Sequence, residues 1–268
     1  MIKSSKYPFI YFFSLFDRFS DQLVAGISGR EGGVSLSPWN SFNTALHCGD
    51  DNEAVWTNRK RLCSALGTDF SAYTSGEQIH GSKGRVVKEG ERGSGAYSYE
   101  TSLKGTDALL TNRQGILLNI HVADCVPIIL YDSTKRAGAL VHAGWKGTAD
   151  NIAERTVNQM VREFGSNPAD IYGALGPSIG PCCFEVGEDT AEKLMKSFPY
   201  KGEIISRRDN RIYGDLWKAN KEQLILSGVK KENLESANIC TCCRTDMFFS
   251  YRADGGITGR FSAFLLLK

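Results

Sequence analysis

Histidine is scarce in this sequence, and its positions limit the chemistry that the chain can perform. The 268 residues include four histidines: His47, His80, His121 and His142. Because no histidine follows residue 142, the Ser–Asp–His order of an α/β-hydrolase triad is excluded. The H-E-x-x-H pair of zinc metalloproteases is missing as well.

Other absences remove further classes of function. The sequence has no P-loop and no G-x-G-x-x-G fingerprint, and it lacks the H-x-E and P-C-x-x-C signature of zinc deaminases. The net charge is only +2 and Lys and Arg are scattered, so we predict no nucleic-acid partner. No segment reaches the roughly 18 apolar residues of a membrane helix, so we predict no membrane partner.

The N-terminal apolar segment, residues 7–16, is dominated by Phe and Tyr and is followed at once by Asp17 and Arg18. A signal peptide has a small-residue cleavage site after its apolar stretch instead. We therefore predict β structure in this segment and a cytoplasmic protein. In a reducing cytosol, the eight cysteines are more often core residues, metal ligands or catalytic groups than disulfides.

Strand-like and helix-like segments alternate along the chain without a clean linker. This pattern predicts an α/β (mixed α+β) fold, with mixed β-sheet layers flanked by helices, in a single domain over 1–268. A solvated loop is predicted over 88–102. The predicted strands are 23–28, 116–122, 126–131, 137–141, 171–175, 248–251 and 261–267, and the predicted helices are 51–66 (capped by Asp50 or Asp51), 148–164, 188–198 and 216–227.

Three side chains suited to zinc lie where the backbone is expected to turn. His80 precedes Gly81, Cys125 stands between two apolar strands, and His142 lies between a strand and a helix. Neutral imidazole and thiolate are natural zinc ligands, and functional groups in α/β proteins concentrate at strand ends. Cys125 and His142 flank one predicted strand, so they could meet at its two ends or across a sheet.

Each of these residues also has a purely structural interpretation. A histidine at a strand end is more often a hydrogen-bonded structural residue, and a buried cysteine is usually a small hydrophobe. The spacings, 45 residues from His80 to Cys125 and 17 from Cys125 to His142, match no short metal signature. His121 lies inside an apolar strand and is predicted to be a core histidine.

Five of the other cysteines form two clusters, Cys182-Cys183 and Cys240-Thr-Cys-Cys243. Structural zinc prefers pairs of cysteines separated by two to four residues. Cys240 and Cys243 have that spacing, but adjacent Cys182 and Cys183 do not make the matching pair. The spacing therefore argues against a second metal site.

Several separate motifs, in a fixed order and nearly from end to end, resemble the YfiH-type family, also called the laccase-like or multicopper polyphenol oxidase domain family. The motifs are Ser41-Phe-Asn-Thr-Ala-Leu-His-Cys-Gly-Asp-Asp, Asn58-Arg-Lys-Arg-Leu, Gln78-Ile-His-Gly, Thr106-Asp-Ala-Leu-Leu-Thr, Ala123-Asp-Cys-Val-Pro, His142-Ala-Gly-Trp-Lys-Gly, Gly176-Pro-Ser-Ile-Gly-Pro-Cys-Cys-Phe-Glu-Val-Gly, Asp215-Leu, Cys240-Thr, Phe249-Ser-Tyr-Arg and Thr258-Gly-Arg.

The resemblance implies a zinc site formed by His80, Cys125 and His142, which would also be the catalytic residues. It further implies phosphorolysis of adenosine, inosine and S-methyl-5'-thioadenosine, together with adenosine deaminase activity. Three protein ligands leave one zinc position open, which is the arrangement of a catalytic site.

Five residues are candidates for binding substrate or phosphate. Arg59 and Arg252 could hold an anion through forked hydrogen bonds. Asn43 and His47 could orient the substrate or shuttle protons, and Asp124 could hold a ligand imidazole.

Two other functions stay open from the sequence. The older family label implies a copper-dependent polyphenol oxidase, but four histidines are too few for several copper ions. A metal-stabilised nucleoside-binding protein without turnover is the other alternative. In either enzymatic case the partner is a small molecule, and a homodimer is the default oligomer.

Overall fold

The computed structural model of the protein describes residues 1–197 and 204–268, and all structural statements below refer to them. The strands are β1 (Ile2–Lys3), β2 (Ile10–Phe12), β3 (Leu23–Ser28), β4 (Tyr73–Ser75), β5 (Gly84–Val86), β6 (Ala108–Thr111), β7 (Leu117–Val122), β8 (Val126–Asp132), β9 (Ala137–Ala143), β10 (Ile171–Leu175), β11 (Glu185–Val186), β12 (Ile205–Arg208), β13 (Arg211–Gly214), β14 (Leu234–Ser236) and β15 (Phe261–Leu267). The helices are α1 (Asn52–Ala65), α2 (Trp145–Ala149), α3 (Ile152–Phe164), α4 (Glu188–Lys196) and α5 (Leu216–Leu226).

The described strands form two large mixed sheets and one small sheet. The first large sheet has the order β1-β2-β3-β15-β7-β4, the second has the order β14-β10-β8-β9-β6-β5, and the small sheet has the order β11-β13-β12. Most neighbours are antiparallel, while β4–β7, β5–β6 and β10–β14 are parallel pairs. The predicted fold class is therefore confirmed. The assignment of 1–268 to one domain stays a prediction.

The two large sheets share an apolar core. Successive side chains of a strand point to opposite faces of its sheet, so every second residue of each sheet faces the other sheet. Ile120 and Leu265 from the first sheet and Ile129 and Leu140 from the second belong to the same buried cluster. His142 has the same parity as Leu140 along β9. The alternation therefore directs this histidine toward the space between the sheets, at the end of the strand.

Helices cover the outer faces of both sheets. Leu62 of α1 packs in a cluster with Phe264 on the first sheet, and Val157 of α3 packs in a cluster with Val141 on the second. The helix α1 begins as predicted, because the Asp51 carboxylate accepts hydrogen bonds from the backbone N–H groups of residues 53 and 54. The result is a four-layer arrangement of helix, sheet, sheet and helices.

Some predicted elements differ from the observed ones. The helix predicted over 148–164 is two helices, α2 and α3, because Asn151 adopts a left-handed conformation with φ of +57°. The strand predicted over 248–251 is an irregular segment, and its apolar character reflects burial of Phe248 and Phe249 in the core. In segment 7–16 only β2 is a strand, followed by a 3₁₀ turn over Ser14–Phe19.

The other predicted strands and helices are observed with ends shifted by at most a few residues. The exception is the predicted end of the helix over 188–198, since Phe198 lies outside the described residues. No helix in the described part of the chain is long and apolar enough to cross a bilayer.

Replacing Leu140 by alanine should lower the free energy of unfolding by about 2–5 kcal/mol, because it empties space between two sheets that cannot close around it. Denaturant unfolding measures the loss. Leu226→Ala is the matched control: Leu226 is 54% exposed at the end of α5, so its loss should stay below about 1 kcal/mol. Equal losses in the two variants would contradict the shared core.

Candidate metal centre and pocket

The pairing of β8 with β9 brings Cys125 and His142 together. The two strands are antiparallel, with Val126 opposite Ala143 and Pro127 opposite His142. Cys125 immediately precedes β8, so its side chain lies beside the end of β9. Of the two arrangements predicted from the sequence, the contact is across the sheet.

His80 reaches the same place from the loop that follows β4. Its backbone is in the left-handed region, with a φ of +61°. The ring centroids of His80 and His142 are 4.9 Å apart, and the two ring planes make an angle of 74°. One ligand atom from each of His80, Cys125 and His142 lies within 4.8 Å of the others, so the three predicted residues do form one cluster.

The carboxylate of Asp107 connects the two histidines. Asp107 is fully buried, and its Oδ1 accepts hydrogen bonds from His142 Nδ1 at 2.9 Å and from the backbone N–H of His80 at 3.0 Å. Its Oδ2 accepts from the N–H groups of Ile79 and Gly81. With Nδ1 engaged, His142 presents Nε2 to the cluster, which is how carboxylates orient metal-binding imidazoles.

Sequence reasoning missed Asp107 and gave its role to Asp124. The signal was present, because Asp107 lies in the Thr106-Asp-Ala motif directly before β6. Asp124 instead accepts hydrogen bonds from Thr241 Oγ1 at 2.6 Å and from the backbone N–H of Arg252 at 2.7 Å. It therefore organises loops of the C-terminal part of the chain and does not hold an imidazole.

The donor set fits a thiophilic divalent cation. Burial acts to raise the pKa of the Cys125 thiol, but His142 and His80 lower it to about 6. Burial acts to lower the pKa of His142, but the Cys125 thiolate and Asp107 raise it to about 9. A thiolate beside two imidazoles is a ligand set that zinc accepts.

Glycine at position 144 leaves room for this cluster. A Cβ atom there would lie 3.1 Å from Cys125 Sγ and 3.1 Å from His80 Cδ2. Both contacts are tight for atoms that must also keep their orientation. Any side chain at this position would press on two of the three candidate ligands.

The cluster forms the floor of a pocket of about 460 Å³, a size that suits a small organic ligand. The remaining lining combines aromatic, aliphatic, cationic and polar side chains: His47, Gln78, His121, Ala123, Asp124, Trp145, Ile179, Phe184, Tyr251, Arg252 and Arg260. Of the predicted substrate residues, His47, Asp124 and Arg252 line the pocket, whereas Asn43 and Arg59 do not.

Arg59 is buried behind the pocket, and its guanidinium is occupied by backbone carbonyls. It donates to Thr44 O at 2.6 Å and to Gly95 O and Ala96 O at 2.7 Å. It also lies over the ring of Tyr73. An arginine with these partners holds loops together and has little freedom to grip a phosphate.

Asn43 has a supporting position of the same kind. Its Nδ2 donates to Asp50 Oδ2 at 2.8 Å, and its Oδ1 accepts from the backbone N–H of Arg260 at 2.8 Å. It therefore fixes the loop that carries His47 against the loop that carries Arg260.

His47 and His121 are both uncharged near neutral pH. His47 faces the open pocket and is reached by solvent, yet the protein around it, together with Arg260 and Arg59, lowers its pKa to about 4. Burial, reinforced by Arg59, lowers the pKa of His121 well below its ordinary value. His121 is buried as predicted, with Nε2 at 2.8 Å from Tyr73 Oη, and it lines the pocket as well.

Some of the pocket residues that sequence reasoning did not single out lie close to a ligand along the chain, and others lie far from all three. Trp145 follows His142 by three residues, but Phe184, Tyr251 and Arg260 come from later loops. Phe184, Tyr251 and Arg260 lie inside motifs that carry the family resemblance, which was the available signal. Arg260 donates from Nη1 to Thr258 O and Gly259 O and lies over the ring of Tyr251.

Asp107→Asn should weaken zinc binding by about 10–100-fold, because an amide cannot accept hydrogen bonds on both of its atoms and so no longer fixes His142 and the His80 loop. Competition with a chromogenic chelator measures the affinity, and circular dichroism checks the fold. Asp124→Asn is the comparison and should change zinc affinity by less than about 3-fold. A larger loss of zinc affinity in Asp124→Asn than in Asp107→Asn would show that Asp124 is the residue that orients the ligands.

Comparison with known proteins agrees with the motifs. Residues 24–268 match the family described as multi-copper polyphenol oxidoreductase laccase. The chain is 38% identical over 244 residues to the purine nucleoside phosphorylase YlmD of Geobacillus stearothermophilus, covering 90% of this chain and 89% of that protein. It is 35% identical over 224 residues to the adenosine deaminase RL5 of an unknown prokaryotic organism, covering 83% and 85%.

A solved structure has the same architecture. The crystal structure of the hypothetical protein YfiH from Bacillus licheniformis superposes with a TM-score of 0.93 at 35% identity, over 97% of both chains. A match of this length in sequence and in structure identifies the family, which the motifs had indicated. The chain belongs to the multi-copper polyphenol oxidoreductase laccase family, the YfiH-type family.

Proposed function

We propose that this protein is a zinc-dependent purine nucleoside enzyme that cleaves the glycosidic bond of adenosine, inosine and S-methyl-5'-thioadenosine with phosphate. The observation that carries the proposal is the cluster of His80, Cys125 and His142 at the floor of an aromatic and cationic pocket. The name of the YlmD relative, purine nucleoside phosphorylase, supports the same reaction.

In this proposal the two imidazoles and the thiolate hold the zinc ion. When bound, zinc supplies Lewis-acid chemistry at the pocket floor. Asp107 keeps His142 in the correct tautomer through its bond to Nδ1. Trp145, Phe184 and Tyr251 offer flat apolar surfaces for a purine ring, which stacks on aromatic side chains.

We assign phosphate binding to Arg260, assisted by Arg252, in place of Arg59. Arg252 lines the pocket and donates to Cys183 O and Glu185 O. Arg260 uses Nη1 for its backbone partners, and in the described part of the chain its Nε and Nη2 donate to no other group. These two donors on one edge of a guanidinium suit a bidentate hydrogen bond to an oxyanion.

Phosphorolysis also needs a proton transfer. An oxygen of phosphate attacks C1′, the bond from C1′ to the purine nitrogen breaks, and the proton that phosphate gives up ends on the departing base. His47 lines the pocket and is neutral near pH 7 because its pKa is about 4. A neutral imidazole can accept a proton at one nitrogen while it donates at the other, so we assign this relay to His47.

Adenosine deamination is a second candidate activity, and the name of the RL5 relative, adenosine deaminase, favours it. In that reaction water adds at C6 of the purine, and ammonia leaves to give inosine. The phosphate-binding arginines are not required. The two reactions can therefore share one pocket and still be separated experimentally by omitting phosphate.

A copper polyphenol oxidase is less consistent with the chain, in spite of the family description. Four histidines are present in all, two of them already lie in the proposed zinc cluster, and His121 bonds to a tyrosine. Several copper ions need more imidazoles than this. Oxidation of a phenolic substrate by copper-loaded protein, with no nucleoside turnover, would support the oxidase instead.

The zinc-loaded protein should convert adenosine, inosine and S-methyl-5'-thioadenosine to free base and the sugar 1-phosphate only when phosphate is present. With adenosine and no phosphate it should release inosine and ammonia. Chromatography of the products distinguishes the two reactions. Tight nucleoside binding without any product would show that the pocket is a binding site, and no binding at all would exclude the proposed substrates.

Arg260→Gln should raise the KM for phosphate by about 10–100-fold, because one charge-assisted, bidentate contact is lost. Deamination without phosphate should change by less than about 3-fold. Arg61→Gln is the matched control, since Arg61 is exposed on α1 and bonds only to Gly32 O among the described residues. An equal effect of Arg260→Gln on both reactions would point to a collapsed pocket and not to a lost phosphate contact.

A further inference from the structure

A second cluster of metal-ligating side chains lies outside the pocket. Cys182, Cys183, Cys240 and Cys243 place their sulfur atoms within 4.8 Å of one another. The sequence spacing argued against this arrangement, because Cys182 and Cys183 are adjacent. In the structure, a tight turn after β10 nevertheless brings both of these cysteines to the pair Cys240 and Cys243.

Two loops build this cluster, and the backbone fixes both of them. In the first loop, the N–H groups of residues 183 and 184 bond to Gly180 O. In the second loop, the N–H of residue 244 bonds to Cys240 O. The loops are joined to each other, because the N–H of Thr241 bonds to Ser178 O and the N–H of Ser178 bonds to Ile239 O. The four sulfur atoms therefore do not meet through flexible side chains alone.

The distances suit four ligands around one ion. A tetrahedral zinc ion with bonds of about 2.3 Å to sulfur needs its sulfur atoms about 3.8 Å apart. The Sγ atom of Cys243 lies 3.7 Å from that of Cys182 and 3.4 Å from that of Cys183. Sulfur atoms at these distances are not bonded to each other, and all eight cysteines are free.

A backbone donor and two arginines lie beside this cluster. The backbone N–H of Gly180 donates to Cys240 Sγ at 3.2 Å. Four thiolates and one divalent ion carry a net charge of −2, and two arginines lie against the same loop. Arg208 donates to Pro181 O and Cys182 O, and Arg252 donates to Cys183 O.

We propose that Cys182, Cys183, Cys240 and Cys243 form a second zinc site, closed by four protein ligands and structural in role. Soft thiolate ligands in a tetrahedral set select zinc over the harder divalent ions. The site would clamp the loop of Phe184 to the loop that leads to Arg252. Both of these residues line the pocket. The second ion would therefore stabilise the pocket wall, while the ion held by His80, Cys125 and His142 would lie in the pocket itself. This inference does not depend on which reaction the pocket performs.

Zinc analysis tests the proposal directly. Wild-type protein should contain about one zinc ion per chain more than a Cys182→Ser, Cys243→Ser double variant. Cys242→Ser is the matched control, because Cys242 lies in the same loop but is not one of the four clustered sulfurs, and it should keep the wild-type zinc content. A double variant with the zinc content of the wild type would overturn the proposal.

A measurement on the wild-type chain covers the case in which the double variant does not fold. Cys182 and Cys243 are exposed, so without a metal they should react readily with iodoacetamide. In zinc-loaded protein we expect them to react at least about 10-fold more slowly than after treatment with a chelator, as mapped by mass spectrometry of peptides. Equal rates in both conditions, or a disulfide from Cys183 to Cys243 in zinc-supplemented protein, would overturn the proposal.

Discussion

The buried carboxylate of Asp107 is the contact on which the candidate metal centre depends. It accepts a hydrogen bond from the imidazole of His142 and three from backbone N–H groups around His80. Since buried charges are tolerated only when they are well satisfied, these bonds also keep the carboxylate ionised. One side chain therefore sets the tautomer of a strand histidine and the position of a loop histidine that lies 62 positions earlier in the chain.

The sequence predicted the parts of the site that depend on local pattern. Apolar runs bounded by turn residues predicted β8 and most of β9, and the positions of Cys125 and His142 beside them followed. The break between α2 and α3 was not predicted, because Asn151 supports a left-handed turn only in its tertiary context. The irregular segment at 248–251 was predicted to be a strand because burial of Phe248 and Phe249 gives the same apolar pattern.

The remaining parts of the site depend on contacts between segments that are distant along the chain. A single sequence does not show which distant segments are in contact. Arg59 and Arg260 have the same side chain. The guanidinium of Arg59 is hydrogen-bonded to backbone carbonyls, whereas Arg260 lines the pocket. For a similar reason, the imidazole-orienting role expected of Asp124 belongs to Asp107. The adjacent pair Cys182 and Cys183 meets Cys240 and Cys243 only because backbone bonds join two loops about 60 residues apart.

The candidate ligands and one side of the pocket lining come from different stretches of the chain. His80, Cys125 and His142 lie in the first 142 residues, while Ile179, Phe184, Tyr251, Arg252 and Arg260 all follow. Substitutions in the later stretch can therefore reshape which molecule is accepted and leave His80, Cys125 and His142 unchanged. In descendants of one ancestral gene, substrate preference and metal dependence are free to evolve at different rates.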